Sequence, residues 1–221
     1  MSKTDFHAIA ENLIGLVPEE RDEPKVDPAE LARRREQFLP RAGVLRRVRK
    51  LLGGELVKTQ ALRRCEEFEG GLLALSGGAG CGKTIAAAWW LGEMFDPEPW
   101  TTQSRVRFLS ASGLEQLSRY DREEMQDIRR CPALVIDDLG TEYLDRKGQF
   151  VSLLDGLLDY RYADERDTII TTNLTAKEFR ESYGERIADR IREWGSFVSV
   201  NEPSLRRGRS VQAVEESRGR K

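Results

Sequence analysis

Eight consecutive residues, Gly77, Gly78, Ala79, Gly80, Cys81, Gly82, Lys83 and Thr84, satisfy the spacing G-x-x-x-x-G-K-[ST]. Glycines let backbone N–H groups converge on phosphate oxygens where a side chain would clash. The helix expected over 85–95 adds a dipole that favours an anion at its start. In such a loop Lys83 reaches the β- and γ-phosphates of a nucleoside triphosphate and Thr84 offers its hydroxyl to Mg²⁺. Cys81 occupies a variable position and contributes its backbone amide, so its thiol is incidental. Two further strings fit the same chemistry. In Leu134-Val135-Ile136-Asp137-Asp138, an apolar run delivers two carboxylates to a strand end, where ligands of open α/β sheets bind. Asp137 is the candidate for holding Mg²⁺, and Asp138 for orienting or deprotonating an attacking water. In Thr168-Ile169-Ile170-Thr171-Thr172-Asn173, the terminal Asn173 is the candidate for hydrogen-bonding the γ-phosphate and that water. Taken singly, an acid pair is also a solvated turn and an asparagine also a helix cap; the phosphate loop is what favours chemistry.

These strings need strands and helices to hold them. Short apolar runs at 72–77, 106–111, 133–138, 168–173 and 196–200 are separated by helix-length stretches. Nearly continuous apolar strands joined in this way predict an α/β chain with a parallel sheet covered on both faces. Upstream, helical spacing runs from Asp27, a candidate cap, to Phe38, where Pro40 interrupts it. It resumes through Val44, Leu45, Val48, Leu51 and Leu52 and ends at Gly53-Gly54, with Arg46, Arg47, Arg49 and Lys50 on the opposite side. A further helix is expected over about 55–68. Trp89 and Trp90 follow the phosphate loop and read as core, whereas Trp100 reads as an exposed loop residue.

Composition narrows the class. Among 221 residues, 33% are charged and 39% hydrophobic, with no apolar run long enough to span a membrane. Three cysteines and one histidine exclude a disulfide framework or a zinc site, and the first residues lack the pattern of a secretory signal, so a cytoplasmic protein with reduced thiols is expected. Charge is unevenly spread: residues 1–30 carry three basic and eight acidic side chains, 31–64 eleven and two, and 205–221 six and two. The expected organisation is an acidic, flexible segment at 1–27, a basic helical extension at 28–68, a nucleotide-binding core at 69–204 and a basic, disordered tail at 205–221. The basic stretch would suit nucleic-acid phosphates, or is a solvated helix face.

With these motifs, the region 41–207 resembles AAA+ ATPases of the DnaC/DnaI helicase-loader and IstB transposition-helper type. The resemblance rests on the phosphate loop, on Asp137-Asp138-Leu139-Gly140, on Thr171-Thr172-Asn173-Leu174, and on the stretch from Gly184 to Arg206. It implies a P-loop core with five parallel strands in the order 5-1-4-3-2, no full C-terminal lid, and ATP with Mg²⁺ as cofactors. It also implies partners: a hexameric replicative helicase, single-stranded DNA, and other copies of the chain. In loaders of this type an arginine in a similar helix is supplied in trans to a neighbour's ATP, which maps onto Arg190, with Arg186 one turn earlier; an arginine near the end maps onto Arg206. On the residues alone, Arg186 and Arg190 equally suit surface ion pairs with Glu185, Asp189 or Glu193. The implied function is ATP-driven loading of a helicase onto DNA. The alternative is an IstB-like helper that acts with a transposase, a branch that commonly has Ser-Gln where Thr172-Asn173 stands. A small-molecule kinase would need an acceptor pocket and a mobile lid that the sequence does not offer. An adaptor that scarcely hydrolyses ATP stays open, because Asp138 is shorter than the glutamate many AAA+ proteins carry there.

Overall fold

The computed structural model describes residues 27–95, 106–141 and 148–205. Chain contacts divide it into two compact units, residues 1–33 and 34–221. Of the first, residues 27–33 are described, and they form the opening turns of helix α1 (Pro28–Arg41), where the Asp27 carboxylate accepts the Ala29 N–H as a cap. The second contains α2 (Arg46–Leu52), α3 (Gln60–Glu66), β1 (Leu72–Gly77), α4 (Lys83–Glu93), β2 (Arg107–Ser110), α5 (Ala111–Tyr120) and α6 (Arg122–Arg130). It continues with β3 (Ala133–Leu139), α7 (Gln149–Ala163), β4 (Asp167–Thr172), α8 (Ala176–Tyr183), α9 (Glu185–Trp194) and β5 (Gly195–Val200).

All strand pairings are parallel and the sheet order is β2-β3-β4-β1-β5, the expected 5-1-4-3-2 read from the other edge. Each central strand is buried on both faces because alternate residues serve different layers. On one face Leu73, Leu75, Val135 and Ile169 pack with Phe38, Val48, Leu62, Ala87 and Trp90 from α1 to α4. On the other, Leu72, Ala74, Ile136 and Ile170 pack with Leu114, Ile128, Leu154, Phe179 and Ile187 from α5 to α9. Close approach is enforced at Gly195, where an added Cβ would lie 1.7 Å from the Leu72 carbonyl oxygen.

The helical extension departs from expectation in three places. Helix α1 runs through Pro40 to Arg41: the proline costs one i−4 hydrogen bond, and the helix ends one residue later. The next helix starts at Arg46 rather than Val44, and α3 is shorter than 55–68 because Thr59 caps it, accepting the Leu62 N–H at 3.1 Å. Arg49 is not on the solvent side with Arg46, Arg47 and Lys50: it is part-buried and donates from Nε to the Val44 carbonyl at 3.0 Å. Trp90 is buried against Phe68, Trp89 is partly buried, and Trp100 lies outside the described residues.

Candidate nucleotide site

Strand β1 ends at Gly77, and a five-residue turn leads into α4 at Lys83. Gly82 makes the turn possible: its φ is +99°, and a Cβ there would press on Thr59 at 3.2 Å. No side chain caps α4, and its first turn holds no acid, so its leading N–H groups and positive dipole end are available to an anion. Lys83 is nonetheless buried. Its Nζ donates to the carbonyls of Gly77 (2.7 Å) and Gly78 (3.0 Å) and to Asn173 Oδ1 (3.1 Å). Cys81 turns its thiol into the core, 3.6 Å from Lys83 Nζ, while Gly78 and Ala79 are exposed at the loop crest.

The second motif meets the first through hydroxyls. Thr84 Oγ1 donates to Asp137 Oδ1 at 2.9 Å, and Thr171 Oγ1 donates to the same oxygen at 2.6 Å. Burial pushes the Asp137 carboxyl above its ordinary range, and the neighbouring Asp138 charge acts the same way; the two hydroxyls and the Lys83 charge oppose them. A hydroxyl and a buried carboxylate whose ionised form is penalised suit a hard cation: the oxygen donors are those Mg²⁺ prefers, and a positive charge offsets the penalty. Asp138 is exposed and sits at φ +57°. Its N–H donates to Thr171 Oγ1 at 3.0 Å, and its carbonyl accepts the Thr141 hydroxyl at 2.7 Å.

Lys83, Thr84, Asp137, Asp138 and Asn173 are thus brought together at the C-terminal ends of β1, β3 and β4. Arg190 is elsewhere. Its side chain is 12% exposed and clamps two acids of α7, Asp155 at 2.5 Å and Asp159. Arg186 meets the same pair at 3.4 and 3.7 Å. The acids one turn away along α9 have other partners: Arg192 takes Glu185 and Asp189, and Glu193 accepts the Tyr162 hydroxyl. Arg206 lies outside the described residues, but the Leu205 N–H immediately before it donates to the Gly80 carbonyl at 3.0 Å. A short strap therefore runs from β5 to the phosphate loop, and Glu202 within it accepts the Gln60 N–H at the start of α3 at 2.8 Å. Sequence reasoning missed Thr171 and this strap. A hydroxyl two residues before the asparagine was the available signal for Thr171; for the strap there was none.

A five-stranded parallel sheet in this order, with the Gly77–Thr84 loop on its β1 strand and paired aspartates on β3, defines a P-loop core of the AAA+ class. The family model described as IstB-like ATP binding protein matches residues 58–213. The chain belongs to that family of ATP-binding proteins. Among solved structures, it is similar to the DnaC helicase loader, with 23% identity and a TM-score of 0.57 over 71% of this chain and 99% of that one. A primosome component described as putative from Streptococcus pyogenes serotype M3 shares 17% identity with a TM-score of 0.53, over 76% and 96% of the two chains. AMPPCP-bound DnaA from Aquifex aeolicus shares 16% with a TM-score of 0.53, over 75% and 54%. At these identities the structures support the fold alone. No curated protein matches the chain. Among the described residues, no helix is long and apolar enough to cross a membrane.

Proposed function

We propose that this chain is an ATPase that loads a hexameric replicative helicase onto single-stranded DNA. ATP phosphates would sit on the 77–84 loop, where Lys83 exchanges its carbonyl acceptors for the β- and γ-phosphates, stronger partners for an ammonium. Thr84 and Asp137 would hold Mg²⁺, which when bound neutralises charge on the phosphate oxygens. Asp138 accepts a proton from the water that attacks the γ-phosphorus as the bond to the ADP oxygen breaks, and Asn173 hydrogen-bonds the γ-phosphate and that water. Arg190 would act on a neighbouring copy's ATP, which requires its bonds to Asp155 and Asp159 to be exchanged on assembly. Arg206, the residue after Leu205, would contact the nucleotide. The basic extension, with Arg46, Arg47 and Lys50 exposed, and the acidic 1–27 segment would be the handles for DNA and helicase.

The Thr172-Asn173 pair, with Asn173 bonded to Lys83, is what favours the loader over the helper. The family model's own description favours the helper, so the two are tested together. Asp138→Asn keeps a residue type that tolerates positive φ but removes the proton acceptor, and should hold ATP without splitting it. Captured with ATP from host lysate, this variant should bring down a hexameric helicase; recovery of a transposase instead would establish the helper.

Arg190→Ala should leave ATP binding intact and reduce turnover by about a thousandfold or more, the range of arginines that act in trans. Mixing it with a Lys83→Ala variant, which still offers its arginine, should restore turnover in the mixed assembly. A mixture as slow as its parts would defeat the trans role and leave Arg190 a clamp between α7 and α9.

A further inference from the structure

The ladder between β3 and β4 is irregular at the site. Ile136 pairs with Ile170 and Leu139 with Thr172, so Asp137 and Asp138 together face the single residue Thr171. Two residues against one form a bulge, whose extra backbone groups drop out of the ladder and need other partners. The Thr171 side chain, fully buried, meets that need. Its Oγ1 accepts the Asp138 N–H at 3.0 Å and donates to Asp137 Oδ1 at 2.6 Å. Asp138 at φ +57° is in the left-handed region, which aspartate enters more readily than most side chains, and this bond is one of the contacts that hold it there. The neighbouring hydroxyl does different work: Thr172 Oγ1 donates to the Leu139 carbonyl and accepts the Leu174 N–H, both on the backbone.

We infer that Thr171 is a positioning residue whose single hydroxyl closes the β3 bulge, orienting Asp137 for Mg²⁺ and Asp138 for the attacking water. The inference rests on the roles proposed above for those two aspartates. Thr171→Val keeps the shape and the β-branched fit to a strand but removes both bonds, stranding the Asp138 N–H and leaving Asp137 with the Thr84 hydroxyl. Groups that orient a metal ligand are worth about tenfold to a hundredfold in metal affinity or activity when lost.

The test titrates Mg²⁺ against binding of N-methylanthraniloyl-ATP and measures turnover in parallel. In EDTA, Thr171→Val should bind the nucleotide as the unsubstituted chain does. It should need about tenfold more Mg²⁺ for tight binding, and kcat should fall by about tenfold or more at saturating Mg²⁺ with KM little changed. Thr171→Ser, which keeps the hydroxyl, should restore both. A valine variant with the original Mg²⁺ requirement and kcat would overturn the inference, as would a serine variant no better than valine. If valine prevents folding, Thr171→Cys carries the same comparison, because it weakens both bonds. An unsubstituted chain that binds Mg²⁺ and nucleotide without turning over would defeat the hydrolysis reading, while the binding titration still tests Thr171.

Discussion

Lys83→Ala is expected to weaken ATP binding by about a hundredfold or more, equivalent to roughly 3 kcal/mol, while leaving the fold in place. Both halves follow from the partners of Nζ. The ammonium bonds two loop carbonyls and Asn173 Oδ1 at the rim of the sheet, and meets the buried Cys81 thiol only at 3.6 Å; all four are neutral acceptors. Removing it costs those bonds but also removes a buried charge, so the melting temperature without nucleotide should hardly move. With nucleotide, the lysine has no substitute. The described part of the site holds no second lysine, and the loop amides alone supply dipoles rather than a full charge. A thermal-shift titration separates the two effects, since a ligand at a hundred times its Kd adds about 2.7 kcal/mol of stability. The variant should lose that gain at ATP concentrations that stabilise the parent chain. An equal shift in both would mean that ATP binds without the lysine and that the loop assignment is wrong.

The largest effect on stability belongs to a residue far from the nucleotide. Arg161, near the end of α7, has no exposed surface. Its guanidinium donates to the carbonyls of Ile128, Arg129, Cys131 and Asp167 and to the Thr168 hydroxyl, at 2.6 to 3.4 Å. Its charge is therefore solvated by oriented carbonyls, some from the C-terminal turn of α6, where a helix dipole favours a cation. Burial draws the guanidinium below the usual arginine range, opposed by its contact with Cys131. Arg161→Met should destabilise the chain by about 3–5 kcal/mol, because several buried acceptors lose their donor together. For a domain of this size that is a fall of roughly 6–20 °C in Tm. Arg161→Lys should recover only part of the loss, since an ammonium cannot match the planar fork. Chemical denaturation checks both, and a loss below about 1 kcal/mol for the methionine variant would sink the argument.

Arg161 also shows where sequence reasoning runs out. Strands β1, β3 and β4 were legible because each is a run of apolar residues with a site motif at its end, and all three fall within a residue of the expected limits. The phosphate loop was legible because all its groups are contiguous. Arginine in a mixed helical stretch carries no mark of burial, and the acceptors of Arg161 come from elements that only the sheet topology brings together. The same holds for Arg190, whose acids lie 31 and 35 residues away rather than one turn along its own helix. Periodicity reports which face of a helix is apolar; it does not report what that face meets.

The strap after β5 brings together three stretches that are remote along the chain: the start of α3 at Gln60, the phosphate loop at Gly80 and the residues from 201 to 205. Because the Gly80 carbonyl is fastened to the Leu205 amide, a shift of the loop on filling is expected to be felt at the end of this strap. A dye carried on a cysteine at Leu205, whose side chain is exposed and whose bond to the loop is made by its backbone N–H, is therefore expected to gauge nucleotide occupancy.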